Sequence, residues 1–513
     1  MIPALRRCAP LLALLVSLAG AAYAADSRPP GIDWFDGSVE QAFEQAQAQD
    51  RPLFLYWGAV WCPPCVEIRQ TVFRNPQFLA QTKLFLPVYL DGDTERAQTW
   101  GDRFGAKVYP TMIVFNPAGE EVTRINAGVD VSAYNDVLGL ALERMRPTAE
   151  LVQAALRDPS SLTGADFQQL AYYSWFDGQA LPEGVKPELF LRLSDTAAQS
   201  QPEASARLYL QYLVMRANET MDADDANGAG GATGDPARVA AILESPDLMI
   251  ACWDYLVLPE SIEPALGGEP ETLHALKAQW AQRMLDLRHD ERLSTKYRLY
   301  GWRPWLVFHF EGDEDHERPL PDHVIDALRA DGQAAAATVA GTHARQSVIN
   351  TVSNVYALAG LNDDARALLQ AEIEKSSTPY YFMGSLASLE ERAGNDAVAL
   401  EWRRKAYEAA RGPATRIRWW ASYVQALTRL APEDVAAIRR AAMVVFDPDA
   451  GMADLFAGAN YRNLARARDS LGTWSKESDS ARVVLDDFDA AVRQACSAEP
   501  AQSREHANCS AML

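Results

Sequence analysis

Trp61-Cys62-Pro63-Pro64-Cys65 follows the apolar run Pro52 to Trp57 and leads into a segment with helical spacing, and forty-five residues past Cys65 comes Pro110, in Tyr109-Pro110-Thr111. A two-residue spacer lets one thiol sit at a helix N-terminus and the other one turn inside, close enough to form a disulfide without moving the backbone. The pattern therefore predicts an exchange centre rather than a staple. Pro63 and Pro64 fall in the first turn, where backbone N–H groups have no intrahelical partner and a missing donor costs little. Cys62 takes the N-terminal end, where the helix dipole and free N–H groups stabilise a thiolate and should bring its pKa below the free value of about 8.5. Cys62 is the expected nucleophile, and Cys65, deeper and with a higher pKa, the expected resolving thiol.

A chain of 513 residues with 48% hydrophobic residues implies two or more globular domains. Arg6 and Arg7, the apolar run Leu11 to Leu18 and the A-x-A site Ala22-Tyr23-Ala24 read as a secretory signal over residues 1–24, cleaved after Ala24, which predicts an exported, periplasmic protein. No later run of about 20 apolar residues follows, so a membrane-spanning protein is not expected. Loss of the two arginines takes the formal charge from −21 to −23, which makes nucleic-acid binding an unsuitable reading. Five cysteines remain beyond Cys8. Cys496 and Cys509, in a polar C-terminal tail, are expected to form a structural disulfide, leaving Cys252 as a free thiol in an apolar stretch. His309 and His316 flank an acidic loop, yet no H-E-x-x-H pair occurs, and neither a metal nor any other cofactor is expected.

From Ile32 to about Met145 the periodicity predicts a helix over Ser38–Gln49, a buried strand over Pro52–Trp57, the redox helix, a short helix opened by Asn75-Pro76, a strand over Phe85–Leu90 and a helix over Thr94–Phe104. A hairpin follows, Thr111–Phe115 with Glu121–Ile125 about the turn Asn116–Gly119, then a helix over Val131–Met145. This order, with Trp61-Cys62-x-x-Cys65, Thr71-Val72-Phe73, Asn75-Pro76, a strand ending in Asp91, Tyr109-Pro110-Thr111 and Gly128, resembles the thioredoxin family and most of all the C-terminal thioredoxin-like domain of periplasmic DsbD. The resemblance covers about a quarter of the chain, residues 31–147. It implies an α/β thioredoxin fold, a cis Pro110 packed on the cysteines, and Trp61, Tyr109 and Thr111 as the substrate-binding residues, with Tyr109 offering backbone groups to an extended client peptide. The family's buried carboxylate, six positions before the first cysteine, is replaced by Tyr56. That leaves Glu67, read as a solvated helix residue, or water to move the Cys65 proton.

From Thr148 to residue 513 helical spacing predominates, interrupted by a loop over Asp222–Pro236. Within 346–430, Ser353, Gly360 and Ala365 recur 34 residues on as Ala387, Gly394 and Ala399, with Glu390 where an aromatic is expected; the spacing resembles tetratricopeptide repeats. The fold class is thus an α/β thioredoxin unit followed by a large all-α, TPR-like domain. Two functions compete. One is an exported thiol–disulfide oxidoreductase that acts on disulfide-bearing protein clients through its CPPC centre. Pro63-Pro64 supplies no histidine cation and no spacer N–H donor, which favours the reducing direction, and the resemblance implies a membrane electron donor of the DsbD type. The other is a helical-repeat binding or scaffold protein whose thioredoxin unit is non-catalytic.

Overall fold

The computed structural model describes residues 28–513 except 61, 95, 127–130, 176–180, 223–232, 314–315, 339–341 and 477. The signal segment, Trp61, Gly128 and most of the 222–236 loop therefore lie outside the described residues.

The first unit is built on four strands in the order β2-β1-β3-β4: β1 Leu53–Gly58, β2 Leu86–Asp91, β3 Thr111–Phe115 and β4 Glu121–Asn126. β1 runs parallel to β2 and antiparallel to β3, with Tyr56 opposite Tyr89 and Met112. Alternate residues of β1 face two cores. Leu53, Leu55 and Trp57 meet Val39, Ala42 and Ala46 of helix α1 (Val39–Ala48). Phe54 and Tyr56 meet Ile68, Phe73 and Phe78 on the other side. Because both faces are covered, the strand reads as an unbroken apolar run rather than an alternating one. Ser38 caps α1 through a reciprocal capping box with Gln41, and Asn75 caps α3 (Pro76–Thr82) by accepting from the N–H groups of Gln77 and Phe78. Between them lies the redox helix α2 (Pro63–Gln70); α4 (Ala97–Arg103) and α5 (Val131–Arg144) complete a thioredoxin fold.

All regular structure described beyond Asn126 is helical, apart from one isolated bridge between Gly234 and Leu266. The sheet's second core runs without a break into these helices, from Leu151 through Phe190 and Trp280 to Leu293. Farther on, helices Thr342–Leu358, Asn362–Ile373, Tyr380–Arg392 and Asp396–Ala409 form two hairpins. Gly360 and Gly394 occupy their turns at φ +71° and +73°, a conformation that glycine adopts without strain. Ser353, Ala365, Ala387, Ala399 and Ala406 are all buried where paired helices meet. Glu390, the departure from the repeat pattern, is buried because Arg366 reaches it at 2.5 Å and Asn395 at 2.7 Å.

The C-terminal residues are not the polar tail expected from composition. They form helices Asp479–Cys496 and Arg504–Met512, and Ala481, Val484, Phe488 and Val492 share one inward face with Cys496. Cys496 and Cys509 are joined by a disulfide inside that cluster, their Cα atoms 5.8 Å apart. Cys252 is a fully buried thiol whose burial pushes its pKa up. Replacing both Cys496 and Cys509 by Ala should destabilise the C-terminal helices by about 3 kcal/mol; an unchanged urea midpoint would show that packing alone holds them.

Candidate functional site: a redox pair beneath the helical domain

Cys62 is the N-cap residue of α2, and Pro63 and Pro64 occupy the first two helical positions. Its N–H donates to the Ala59 carbonyl at 3.3 Å, and its carbonyl accepts from Val66 N–H at 2.9 Å. The Cys65 N–H points at Cys62 Sγ across 3.4 Å, so the sulfur sits at the positive end of the helix dipole. Both cysteines are thiols. The Tyr109–Pro110 peptide is cis, and the Tyr109 carbonyl lies 3.7 Å from Cys62 Sγ. Tyr109 is wedged in place: its ring rests on Trp57 at 4.2 Å, its hydroxyl accepts from Gln98 Nε2 at 2.6 Å, and Gly92 leaves room that a Cβ would take. Thr111 is fully buried with its hydroxyl donating to the Val108 carbonyl at 2.8 Å, so its side chain is engaged inside the loop.

Cys65 is completely buried, and desolvation pushes its thiol pKa well up. The Tyr56 hydroxyl stands where the missing carboxylate was expected. It makes no hydrogen bond of ordinary length, yet it lies near enough to Cys65 to favour the thiolate. Glu67 is not a solvated residue, as its position on the helix suggested, but is buried. A buried carboxylate does stand on the neighbouring strand. Asp91 accepts from Asp93 N–H at 3.1 Å and, weakly, from the Tyr89 hydroxyl at 3.4 Å. Burial first and the charge of Asp93 second raise its pKa from 3.8 to about 6. The stacked rings of Tyr56 and Tyr89, 5.8 Å apart, stand side by side on one face of the paired strands β1 and β2. Among the described residues no group of three or more His, Cys, Asp or Glu is placed to hold a metal.

The sequence carried no sign of what lies over the pair. Cys62 is only 3% exposed, because Ala59, Cys62 and Cys65 form one apolar cluster with Tyr380, Ala406, Ala410 and Trp419 of the helical part. Tyr109 and Tyr381 pack against the same cluster, so the edge expected to receive a client peptide is covered. Arg418 is drawn into the site as well. The charges of Tyr381 and Cys62 outweigh desolvation and raise its pKa. The clamp is polar at its rim. Asp93 accepts from Thr415 N–H at 2.8 Å and Thr415 Oγ1 at 2.6 Å at the start of helix Pro413–Leu430, Gln98 Oε1 accepts from Ala459 N–H at 2.9 Å, and Arg504 pairs with Asp102 at 2.9 Å.

The N-terminal unit thus has a thioredoxin fold that carries two thiols, Cys62 and Cys65, at the start of α2. A family model described as Thioredoxin-like matches residues 33–117. Among solved structures, a DsbH oxidoreductase matches with 17% identity over 23% of this chain and 90% of that chain, at a TM-score of 0.20. No curated protein matches the chain.

Two measurements check this geometry. Removing the Asp93 cap by Asp93→Ala weakens the clamp by about 1 kcal/mol, so alkylation of Cys62 by iodoacetamide should quicken about fivefold; an unchanged rate would mean that the cover does not limit access. For Asp91 the native pKa lies above the unfolded one, so its stabilising contribution is complete below about pH 4 and is lost as pH rises through about 6. Asp91→Asn should therefore flatten a fall in stability of at most about 3 kcal/mol between pH 4 and 7, read from urea midpoints.

Proposed function

We propose that the chain is an exported thiol–disulfide oxidoreductase in which Cys62 attacks a substrate disulfide and Cys65 resolves the mixed disulfide. The observation that carries this reading is the N-capping sulfur of Cys62 with the Cys65 N–H directed at it from 3.4 Å, next to the Tyr109–Pro110 loop. The Cys62 thiolate displaces one substrate sulfur as a thiolate. Cys65, once deprotonated, then attacks Cys62 Sγ, releases the second substrate thiolate and closes the Cys62–Cys65 disulfide. Two electrons pass from the cysteines to the substrate, and the two cysteine protons end on the released thiols. The proposed direction is reduction of disulfides, including those of protein clients once the covering helices move aside, with residues 31–147 as the catalytic unit and 148–513 as the helical one. Export with cleavage after Ala24 and a membrane electron donor of the DsbD type belong to the same proposal. No described helix is long and apolar enough to cross a membrane, which fits a donor carried by another protein.

A scaffold reading has one observation in its favour, the extent to which the helices bury the thiols. Cysteine substitutions separate the two. Cys65→Ser should accumulate a mixed disulfide that reducing agent releases, and Cys62→Ser should abolish exchange altogether. Full biological function in Cys62→Ser would establish the scaffold reading instead. Because the Cys65 pKa is raised, release from the mixed disulfide should quicken roughly tenfold per pH unit above neutrality, which rapid-quench alkylation can follow.

A further inference from the structure

A cavity of about 410 Å³ opens between helices Thr342–Leu358, Asn362–Ile373, Tyr380–Arg392 and Pro413–Leu430. That size suits a small ligand. Its wall includes Arg418, whose charge acts on Cys62, and Tyr381 and Trp419, which also pack on the Cys62–Cys65 cluster, so the cavity and the thiols share one partition.

The lining is cationic. Arg392, Arg403 and Arg418 contribute to it, four serines add hydroxyls, and no Asp or Glu lines it. Arg403 is 15% exposed at its side chain. It donates to Ser422 Oγ at 3.0 Å and Ser388 Oγ at 2.9 Å, and its ion pair with Glu391 is a long 3.5 Å contact to a carboxylate that Arg429 shares. Arg403 Nε and Trp419 Nε1 are buried donors with no acceptor. A guanidinium held this deep with only one long, shared carboxylate contact is costly unless a further anion completes it, and unsatisfied N–H donors add to that cost. Arg392 stands exposed at the rim. A chain of formal charge −21 repels anions in general, so a cationic cavity beside the thiols is a local feature against the field of the whole protein.

We infer that this cavity seats the carboxylates of a small anionic disulfide and presents its sulfurs to Cys62, which makes a low-molecular-mass, carboxylate-bearing thiol–disulfide couple the substrate of the closed protein. The inference rests on the exchange chemistry proposed above. Cys62 forms a bond to one sulfur of the ligand as its S–S bond breaks and one thiolate departs; Cys65 then bonds to Cys62 and expels the second. The ligand gains two electrons and two protons, and the protein retains the Cys62–Cys65 disulfide. Access requires the Tyr381 and Trp419 rings to turn out of the partition. Gly384 gives Trp419 its present seat, since a Cβ there would collide with the ring.

The test is single-turnover oxidation of the reduced full-length protein, read as loss of two alkylatable thiols, with three probes: glutathione disulfide (anionic), cystamine (cationic) and intact insulin (a protein disulfide). Glutathione disulfide should react about tenfold faster than cystamine, and Arg392→Glu, a substitution at the exposed rim outside the core, should cut that ratio about fivefold. Equal rates for the two small disulfides, or a ratio that Arg392→Glu leaves intact, would overturn the cavity assignment while leaving the exchange reading in place. Oxidation by insulin alone would also overturn it, in favour of protein clients. Oxidation by none of the three would sink the exchange reading and this inference with it.

Discussion

Asp93 holds the first turn of helix Pro413–Leu430, and the architecture around the thiols depends on that contact. Gly412, at the N-cap position, has no side chain to cap with, and a Cβ there would collide with the Asp93 carboxylate. Asp93 supplies the cap instead, accepting from both Thr415 N–H and Thr415 Oγ1. An anion at a helix N-terminus meets both free N–H groups and the dipole. One turn farther along come Arg418 and Trp419, so the same contact that joins the two parts of the chain sets the two side chains that stand over Cys62.

Two helix N-termini therefore converge on one small region, α2 with the Cys62 sulfur at its end and Pro413–Leu430 with Asp93 at its own. Burial gives each group there a larger electrostatic stake than it would have at the surface. Cys65 holds its proton firmly, and Tyr56 offers a phenol where a carboxylate would have been a base. The buried carboxylate on the adjacent strand, Asp91, is the one whose pKa, at about 6, lies nearest neutrality. The group beside the resolving thiol is thus the Tyr56 phenol, a different arrangement from a single carboxylate behind it.

The thioredoxin unit was legible because its signals are local. The apolar run of β1, the prolines after Cys62, Asn75-Pro76 at a helix start and the Asn116–Gly119 turn each act over a few residues. Gly360 and Gly394 were legible for the same reason, as turn residues at positive φ. The cover was not, since Asp93 and Thr415 are 322 residues apart and Arg418 reads as any polar helix residue. Glu67 was misplaced because α2 packs against helix Thr342–Leu358, which turns a face that would otherwise be solvated into an interface. The buried stripe of the last helices was missed through composition: their charged outer faces outweigh the inward positions that end in Cys496, so the segment read as a polar tail.

The measurement that bears most directly on the central claim is equilibration of the full-length protein across a series of reduced to oxidised dithiothreitol ratios, with thiols counted by alkylation and mass. An exchange centre at Cys62 and Cys65 gives one two-electron transition that removes two thiols together, leaves Cys252 reduced, and lies nearer about −270 mV than about −120 mV. Retention of both thiols across the series, or their loss one at a time, would contradict the assignment.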